Sequence, residues 1–345
     1  MNEFEIIGNE RTKAILSLAV NTKKTAGCYI LEGPVGSGKK MIARAFFAAL
    51  CCKKMKNVRE ENSETILSEI KENELYFCAE CESCKKILRS ENIDITELAP
   101  DKSSGYSVEL IRSMCSDSHI LPSEEEYRAF IILNGELLNA ESQNALLKNI
   151  EEPASNAIFF ILTTDKTLLL PTVLSRAVKL NTERLSNDVL KRKLLSLRTD
   201  KNPEDIDNVI SFSGGSLGLA LSLLDDSDII TYRKTVASYF ECILKNRTFE
   251  ALCLVLPPIK TTSKQLQIIL PLMKSAIRDI MLCKTADFKA DFFSDAELIS
   301  ALSESTDVKM LAKLFDYVEK SLLYLGVYIQ PLNTVTNLNA LAAKL

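Results

Sequence analysis

The feature that most constrains the fold is a glycine-rich loop that follows a short apolar run near the start of the chain. The run Cys28-Tyr29-Ile30-Leu31 predicts a buried strand, and Gly33-Pro34-Val35-Gly36-Ser37-Gly38-Lys39-Lys40 comes directly after it. Glycines let such a loop turn tightly and point backbone N–H groups at phosphate oxygens, and a lysine completes the anion site with the next helix N-terminus. The pattern predicts a P-loop and a helix from Met41 to Leu50.

The position after the P-loop lysine carries an unsuitable group for metal binding. A P-loop normally places a Ser or Thr hydroxyl there as a ligand to Mg²⁺, and this chain has Lys40. An ammonium offers no lone pair and repels a cation. ATP or ADP binding is therefore predicted to be weak and to lack a competent Mg²⁺ site. The predicted phosphate-binding positions in the loop are Gly33, Pro34, Gly36, Ser37, Gly38, Lys39 and Lys40.

The second half of an ATP site is expected at the end of a later apolar strand. Such a strand normally ends in an Asp that orients the metal, followed by a Glu that activates water. The candidate strand ends Ile131-Ile132-Leu133-Asn134-Gly135-Glu136, with no acid at its tip. If the strand continued, Glu136 would keep the same face but lie roughly 7 Å further along, so it is a poor substitute. ATP hydrolysis in this site is predicted to be absent.

The order of apolar runs predicts a parallel sheet covered by helices. Ile95–Leu98, Ala129–Leu133 and Ile158–Thr163 are continuous rather than alternating, which is typical of strands buried on both faces. Strands that alternate with helical segments indicate βαβ units.

After about Asn181 the pattern becomes helical. Residues 186–226 predict a small bundle with a break at Ser213-Gly214-Gly215, and Pro257, Pro258, Pro271 and Pro331 are expected to separate later helices. Residues 53–77 are charged and predict a solvated, partly helical insertion. The predicted domains are residues 1–180, 181–228 and 229–345.

Composition limits the classes of function. The 345 residues carry a net charge of −4, which argues against a stand-alone nucleic-acid-binding protein. The first residues lack the features of a secretory signal, and no apolar stretch approaches the ~18 residues of a membrane span. We therefore expect a cytoplasmic protein with no membrane partner.

Three cysteines have the spacing of a metal site. Cys78, Cys81 and Cys84 are separated by two residues each, so their sulfurs can converge on one tetrahedral ion. A fourth thiolate is needed, and Cys51-Cys52 supplies two candidates. Four thiolates leave no open position for chemistry, so the predicted role of Zn²⁺ is structural. Disulfide bonds or plain buried thiols are the alternatives.

Several longer motifs resemble those of a known family. Phe4-Glu5-Ile6-Ile7-Gly8-Asn9 precedes the P-loop, and Asn144-Ala145-Leu146-Leu147-Lys148-Asn149-Ile150-Glu151-Glu152-Pro153 is close to a NALLKxLEEP helix. Leu162-Thr163-Thr164-Asp165 and Leu170-Pro171-Thr172-Val173-Leu174-Ser175-Arg176 resemble a sensor-1 strand and an SRC motif, with Ala177 in place of the cysteine. Over roughly residues 4–225 the chain is similar to bacterial clamp-loader subunits of the AAA+ class.

The resemblance implies a fold and a set of site residues. The fold is an α/β AAA+ module, with a parallel five-stranded sheet flanked by helices, a small helical lid and a C-terminal all-α collar domain. A zinc-binding module is expected at about residues 51–84, with Cys52 as the fourth ligand and Cys51 as the runner-up. Thr164 is implied as a nucleotide sensor, and Ser175 and Arg176 as the site of an arginine finger that acts in a neighbouring subunit.

Three departures from the family point to one class of subunit. Aligned through Asn144, Leu133 and Asn134 replace the metal-orienting Asp and the catalytic Glu, and Gly218 replaces the sensor-2 arginine. This combination resembles the delta-prime class, which is non-hydrolysing in many bacteria. The resemblance then implies membership of the DNA polymerase III holoenzyme, without ATPase activity of its own. The implied partners are tau/gamma-type ATPase subunits, a clamp-opening delta subunit, and, through the complex, the sliding clamp and primed DNA.

Two other functions stay open from the sequence. An ATP-hydrolysing tau/gamma-type subunit conflicts with Lys40, Leu133, Asn134 and Gly218. A zinc-bearing nucleic-acid-binding protein conflicts with the net negative charge and with the lack of a basic, aromatic-interleaved stripe.

Overall fold

A computed structural model gives the fold of most of the chain. It describes residues 6–60, 75–101, 105–225, 229–259, 263–284, 292–293, 295–324 and 331–344. The described chain divides into two compact units, Met1–Leu185 with Ser216–Gly218, and Ser186–Gly215 with Leu219–Leu345. The predicted division into three domains stays a prediction.

The first unit is built on a five-stranded parallel sheet. Its strands are β1 (Cys28–Glu32), β2 (Ile95–Leu98), β3 (Arg128–Ile132), β4 (Ala157–Thr163) and β5 (Val178–Asn181), in the order β2-β3-β4-β1-β5. β4 is buried along its whole length, as expected for a strand covered on both faces. The predicted α/β fold with a parallel five-stranded sheet flanked by helices is confirmed.

Helices surround this sheet. They are α1 (Glu10–Asn21), α2 (Lys39–Cys51), α3 (Lys53–Glu60), α4 (Glu82–Arg89), α5 (Val108–Asp117), α6 (Ala140–Glu151) and α7 (Pro171–Leu174). The buried face of α2 packs on the sheet through Phe46, whose ring centroid lies 5.1 Å from that of Tyr29 and 5.8 Å from that of Phe160. This aromatic contact fixes α2, and with it the P-loop, against β1 and β4.

Two local predictions differ from the structure. The predicted strand Ala129–Leu133 ends at Ile132, so Leu133 lies just beyond the sheet. Within the predicted insertion 53–77, residues 61–74 lie outside the described residues. Helix α3 begins that insertion, but Met55 on it is almost fully buried against the core of the first unit, so the expectation of a solvated segment is wrong there.

The second unit is helical throughout the part that the structure describes. Its helices are α8 (Asn187–Leu197), α9 (Pro203–Ser213), α10 (Leu217–Asp225), α11 (Ile229–Leu244), α12 (Thr248–Ile259), α13 (Ser263–Cys283), α14 (Ala296–Ser305), α15 (Val308–Tyr324) and α16 (Pro331–Ala342). The predicted break at Gly214 is present, because this residue caps α9 with a left-handed φ of 56°. No described helix is both long and apolar enough to cross a lipid bilayer.

Two of the predicted helix breaks fall inside helices. Pro257 and Pro258 lie in the last turn of α12. Pro271 was expected to separate two helices, but it lies inside α13. A proline within a helix costs about 3 kcal/mol because it removes a backbone hydrogen bond and crowds the preceding turn. The neighbours Leu270, Leu272 and Met273 are almost completely buried, so packing of the surrounding turns offsets this cost.

Candidate phosphate and metal sites

The P-loop lies between β1 and α2 in a conformation that only glycine tolerates easily. Gly38 is the residue before α2, with φ at 88°. Gly33 comes directly after β1 and packs against Thr182. An added Cβ at Gly33 would lie 1.9 Å from the Thr182 hydroxyl oxygen. The hydroxyls of Ser37 and Thr182 are 2.7 Å apart. The predicted loop residues from Gly33 to Lys40 are thus brought together at the carboxyl edge of the sheet.

Lys39 is held across the loop by backbone oxygens. Its ammonium donates to the carbonyl oxygens of Gly33 (2.5 Å) and Pro34 (2.8 Å). An ammonium has three hydrogens, so two are used within the loop and the third is available for an anion. Burial lowers the pKa of Lys39 to about 8, and the negative charge of Glu136 partly opposes this effect. Lys39 is therefore suited to bind phosphate near neutral pH.

The lowered pKa of Lys39 predicts a pH dependence of anion binding. We expect the affinity for ADP to fall above about pH 8, by at most about tenfold per pH unit, because the free protein loses the Lys39 proton there. An ordinary lysine would stay charged to a pKa of about 10.4. Titration calorimetry with millimolar ADP and no metal, from pH 6.5 to 9.5, measures the effect. Lys39→Arg should remove this dependence, since a guanidinium stays charged; an unchanged profile in that variant would contradict the assignment.

Lys40 forms an ion pair with an acidic residue of strand β2. Its ammonium lies 2.6 Å from the Glu97 carboxylate on β2, which also pairs with Arg44 at 2.6 Å. The Lys40 and Arg44 charges hold the pKa of Glu97 below its usual range despite the opposing effect of burial. The loop therefore fits a phosphate group, whereas the position that should supply a metal ligand carries an ion-paired ammonium.

The tip of β3 also lacks metal ligands. Leu133 follows the strand, and its carbonyl oxygen lies within hydrogen-bond distance of the Tyr106 hydroxyl. That hydroxyl is 2.8 Å from the carbonyl oxygen of Leu98 as well, so Tyr106 joins the ends of β2 and β3. Burial raises the pKa of Tyr106, which keeps its proton. A neutral phenol therefore occupies the place beside the β3 tip.

Glu136 does not lie where a continued strand would place it. Asn134 adopts a left-handed conformation with φ at 49°, and the chain turns into a 3₁₀ helix, Gly135–Leu137. Glu136 is 8% exposed, and its two carboxylate oxygens accept hydrogen bonds from the backbone N–H and the hydroxyl of Thr164, both at 3.1 Å. The sequence analysis missed this pair. The dipeptide Asn134-Gly135, a common turn signal, indicates that the strand ends before Glu136.

Gly218 contacts the P-loop through its backbone. Its N–H donates to the carbonyl oxygen of Gly36 at 3.1 Å, and the Ser216 hydroxyl donates to that of Val35 at 3.1 Å. An added Cβ at Gly218 would lie 3.1 Å from both the Cα and the oxygen of Gly36. The residue in the predicted sensor-2 position thus approaches the loop closely and carries no side chain toward phosphate.

Arg176 lies at an exposed corner after the short helix α7. Its Nε donates to Glu151 at the end of α6, and its Nη1 donates to the Thr172 carbonyl and the Ser175 hydroxyl, both at 3.1 Å. The side chain is 37% exposed. Ser175 and Arg176 are thus together on the surface, with the guanidinium anchored along one edge.

The four predicted metal ligands form one cluster. The sulfurs of Cys52, Cys78, Cys81 and Cys84 all lie within 4.8 Å of one another. Cys78 and Cys84 sulfurs are 3.9 Å apart, near the edge of about 3.8 Å that Zn–S bonds of about 2.3 Å give in a tetrahedron. A hydrogen bond from Cys84 lowers the pKa of Cys52 to about 5, which favours a thiolate. The donor set suits Zn²⁺.

Local structure explains how this cluster forms. Cys52 is the residue at which α2 ends, and Cys81 is the residue before α4. Backbone N–H groups of Cys78 and Cys81 approach the sulfurs of Cys52 (3.5 Å) and Cys78 (3.3 Å). Cys51 is buried outside this cluster, and burial raises its pKa. Of the two candidates, Cys52 is the one that the structure places with the other three.

The sheet, the P-loop and Lys39 define the class: a P-loop α/β protein whose loop has an ion-paired lysine, Lys40, where a hydroxyl ligand to Mg²⁺ is expected. Residues 8–186 match the family described as DNA polymerase III, delta subunit. This match covers just over half of the chain, so the chain belongs to that family. The family expected from the motifs is confirmed, and the class of subunit within it stays a prediction.

Individual relatives are more distant. The chain is 27% identical over 227 residues to DNA polymerase III subunit tau of Bacillus subtilis, an alignment that covers 65% of this chain and 37% of that protein. It is 29% identical over 228 residues to subunit gamma/tau of Mycobacterium tuberculosis strain H37Rv, covering 64% and 36%. The chain thus spans little more than a third of these relatives. A gamma subunit-related protein from Thermotoga maritima aligns over 97% of this chain and 98% of its own, with 14% identity and a TM-score of 0.48.

Proposed function

We propose that this chain is a non-hydrolysing, delta-prime-type subunit of the DNA polymerase III clamp loader. The observation that carries the proposal is the Lys40–Glu97 ion pair, at 2.6 Å, in the position where Mg²⁺ needs a hydroxyl. Leu133 at the β3 tip and Gly218 beside Gly36 also support a subunit without ATP hydrolysis. Metal-assisted phosphoryl transfer needs a metal that bridges phosphate oxygens, and these residues cannot hold one.

Arg176 is the residue through which such a subunit would act. A guanidinium supplied by one subunit can stabilise the charge that develops on the γ-phosphate bound to another. The surface position of Arg176 and its anchoring by Glu151, Thr172 and Ser175 support this role, because the group needs a fixed base and an exposed edge. Ser175 then serves as a positioning residue.

The proposed partners follow from this role. They are tau/gamma-type ATPase subunits, one of which receives Arg176, and a clamp-opening delta subunit. Through the complex, the chain would help to place a sliding clamp on primed DNA in the cytoplasm. The helices of the second unit would provide the collar through which subunits assemble. Thr164, held by Glu136, would report on the phosphate site of this chain.

The cysteine cluster is proposed to hold a structural zinc ion. Cys52, Cys78, Cys81 and Cys84 supply four thiolates, which close the coordination sphere and leave no site for substrate. The ion would join the end of α2 to the start of α4.

An assay of ATP hydrolysis tests the proposal on the chain alone. We expect the purified protein to show no Mg²⁺-dependent ATP turnover, because neither Lys40 nor Leu133 can hold the metal. A tau-type subunit assayed in parallel is the positive control. The names of the relatives favour a tau/gamma-type enzyme as the alternative, and turnover at the rate of the control would establish that alternative instead.

A further inference from the structure

A buried carboxylate at the phosphate site carries a charge that the functions described above do not use. Glu136 is 8% exposed and lies at the carboxyl edge of the sheet, where β1, β4 and β3 end side by side. Burying a carboxylate is costly unless it is hydrogen-bonded or neutralised. Such groups often mark sites where charge matters to binding.

The local backbone brings this carboxylate up to the P-loop. Gly135 packs so closely on β4 that an added Cβ would lie 2.4 Å from Cγ2 of Ile161. Glu136 can therefore reach Thr164, to which both of its oxygens are bonded at 3.1 Å. The preceding residue, Thr163, accepts a hydrogen bond from the first loop residue, Gly33, at 3.1 Å. Thr164, which binds Glu136, is therefore adjacent in sequence to Thr163, which is hydrogen-bonded to the P-loop.

Acidic groups act on both lysines of the loop. The Lys39 ammonium donates to Gly33, so it lies at the same end of the loop, and the charge of Glu136 acts on its proton affinity. Lys40 is paired with Glu97. A P-loop attracts phosphate through backbone N–H groups and an uncompensated lysine. Here an incoming phosphate would meet a carboxylate beside the lysine that should attract it.

We infer that Glu136 is an internal competitor of phosphate, which lowers the affinity of this P-loop for nucleotide phosphoryl groups while it holds Thr164 in place. The weak binding expected of the site then has two separate causes, the lost metal ligands and a carboxylate that repels the anion directly. This inference concerns only the chain's own loop, and it holds whether or not Arg176 acts in another subunit.

Glu136→Gln is the decisive variant because it removes the charge and keeps the shape. The amide oxygen can accept from the Thr164 N–H, and the amide NH₂ can donate to the Thr164 hydroxyl, so both hydrogen bonds are retained. The assay is run at about pH 6.5, below the pKa of Lys39, because removal of the Glu136 charge lowers that pKa further. We expect this variant to bind ADP there, in EDTA and without Mg²⁺, at least about tenfold more tightly than the unchanged protein. Titration calorimetry gives the affinity, and a thermal melt checks that the variant is folded.

Three further variants separate this inference from simpler explanations. Glu141→Gln makes the same change in net charge at an exposed site at the start of α6, and it should leave ADP affinity unchanged. Lys39→Ala combined with Glu136→Gln should bind ADP more weakly than Glu136→Gln alone, because Lys39 supplies the attraction that the Glu136 charge opposes. Glu136→Ala should also bind ADP more tightly, because it removes the charge without introducing an amide group.

Several results would overturn the inference. They are equal or weaker ADP binding by Glu136→Gln, no binding by any variant, an equal gain in Glu141→Gln, or ADP binding by Glu136→Gln that does not depend on Lys39. Failure of the proposed function would appear elsewhere, as ATP turnover by the unchanged protein.

Discussion

Replacing Arg176 with alanine should lower ATP hydrolysis at the neighbouring site of a reconstituted clamp loader by about 10³-fold, without loss of assembly. The reason is that a guanidinium that neutralises charge on the γ-phosphate acts mainly in the transition state. In the part of the chain that the structure describes, the hydrogen bonds of Arg176 are to groups at an exposed corner: Glu151, Thr172 and Ser175. Its removal should therefore change stability little.

The measurement is single-turnover ATP hydrolysis by the loader, with assembly followed by gel filtration. Lys179→Ala is the matched control, because it removes an exposed positive charge three residues later, on β5. Arg176→Lys should recover only part of the rate, since an ammonium keeps the charge and loses the planar fork that binds two phosphate oxygens. An unchanged rate in Arg176→Ala would remove the arginine finger from the proposed function.

Replacing Cys78 with serine should abolish the proposed zinc binding and destabilise the first unit by about 3 kcal/mol. This loss is smaller than the roughly 10–16 kcal/mol by which zinc stabilises isolated zinc-finger peptides, because the first unit also has a hydrophobic core. At about 2–4 °C per kcal/mol for a unit of this size, the melting temperature should fall by about 6–12 °C. Elemental analysis gives the zinc content, and a thermal melt gives the loss of stability.

Cys51→Ser provides the control for this second prediction. Cys51 is more buried than Cys78, yet its sulfur lies outside the cluster. If packing alone mattered, Cys51→Ser would be the more damaging change. If the cluster binds zinc, Cys78→Ser will lose the metal and more stability, while Cys51→Ser keeps one equivalent of zinc. Purified, unmodified protein with less than half an equivalent of zinc would contradict the metal site.

Local patterns explain why much of the fold could be predicted from the sequence. Strands β1, β3 and β4 are continuous apolar runs, and the P-loop is fixed by its own glycines and lysine. Strand β5 has the sequence Val-Lys-Leu-Asn, which gives no such signal. The spacing of Cys78, Cys81 and Cys84 is a local signal as well. The choice of Cys52 over Cys51 needed either the family resemblance or the structure, because it depends on which side of the α2 end faces the other sulfurs.

The missed features depend on contacts between residues that are distant in sequence. The partner of Lys40 is Glu97, 57 residues later along the chain, and the partner of Glu136 is Thr164, across the sheet edge. No periodicity connects these pairs. The prediction of a helix break at Pro271 is wrong for a related reason. Helix propensity disfavours proline, but burial of the residues around Pro271 stabilises a continuous helix.

The Tyr106 hydroxyl, which links the ends of β2 and β3, bears on whether the catalytic site could be regained. Reverting Leu133 to aspartate would place a carboxylate next to a phenol that already bonds to the backbone at the strand tip. Lys40 would still be tied to Glu97, so no ion could enter between them. A single substitution would therefore leave the metal position incomplete, because the Lys40–Glu97 ion pair and the hydrogen bonds of Tyr106 hold separate parts of the site.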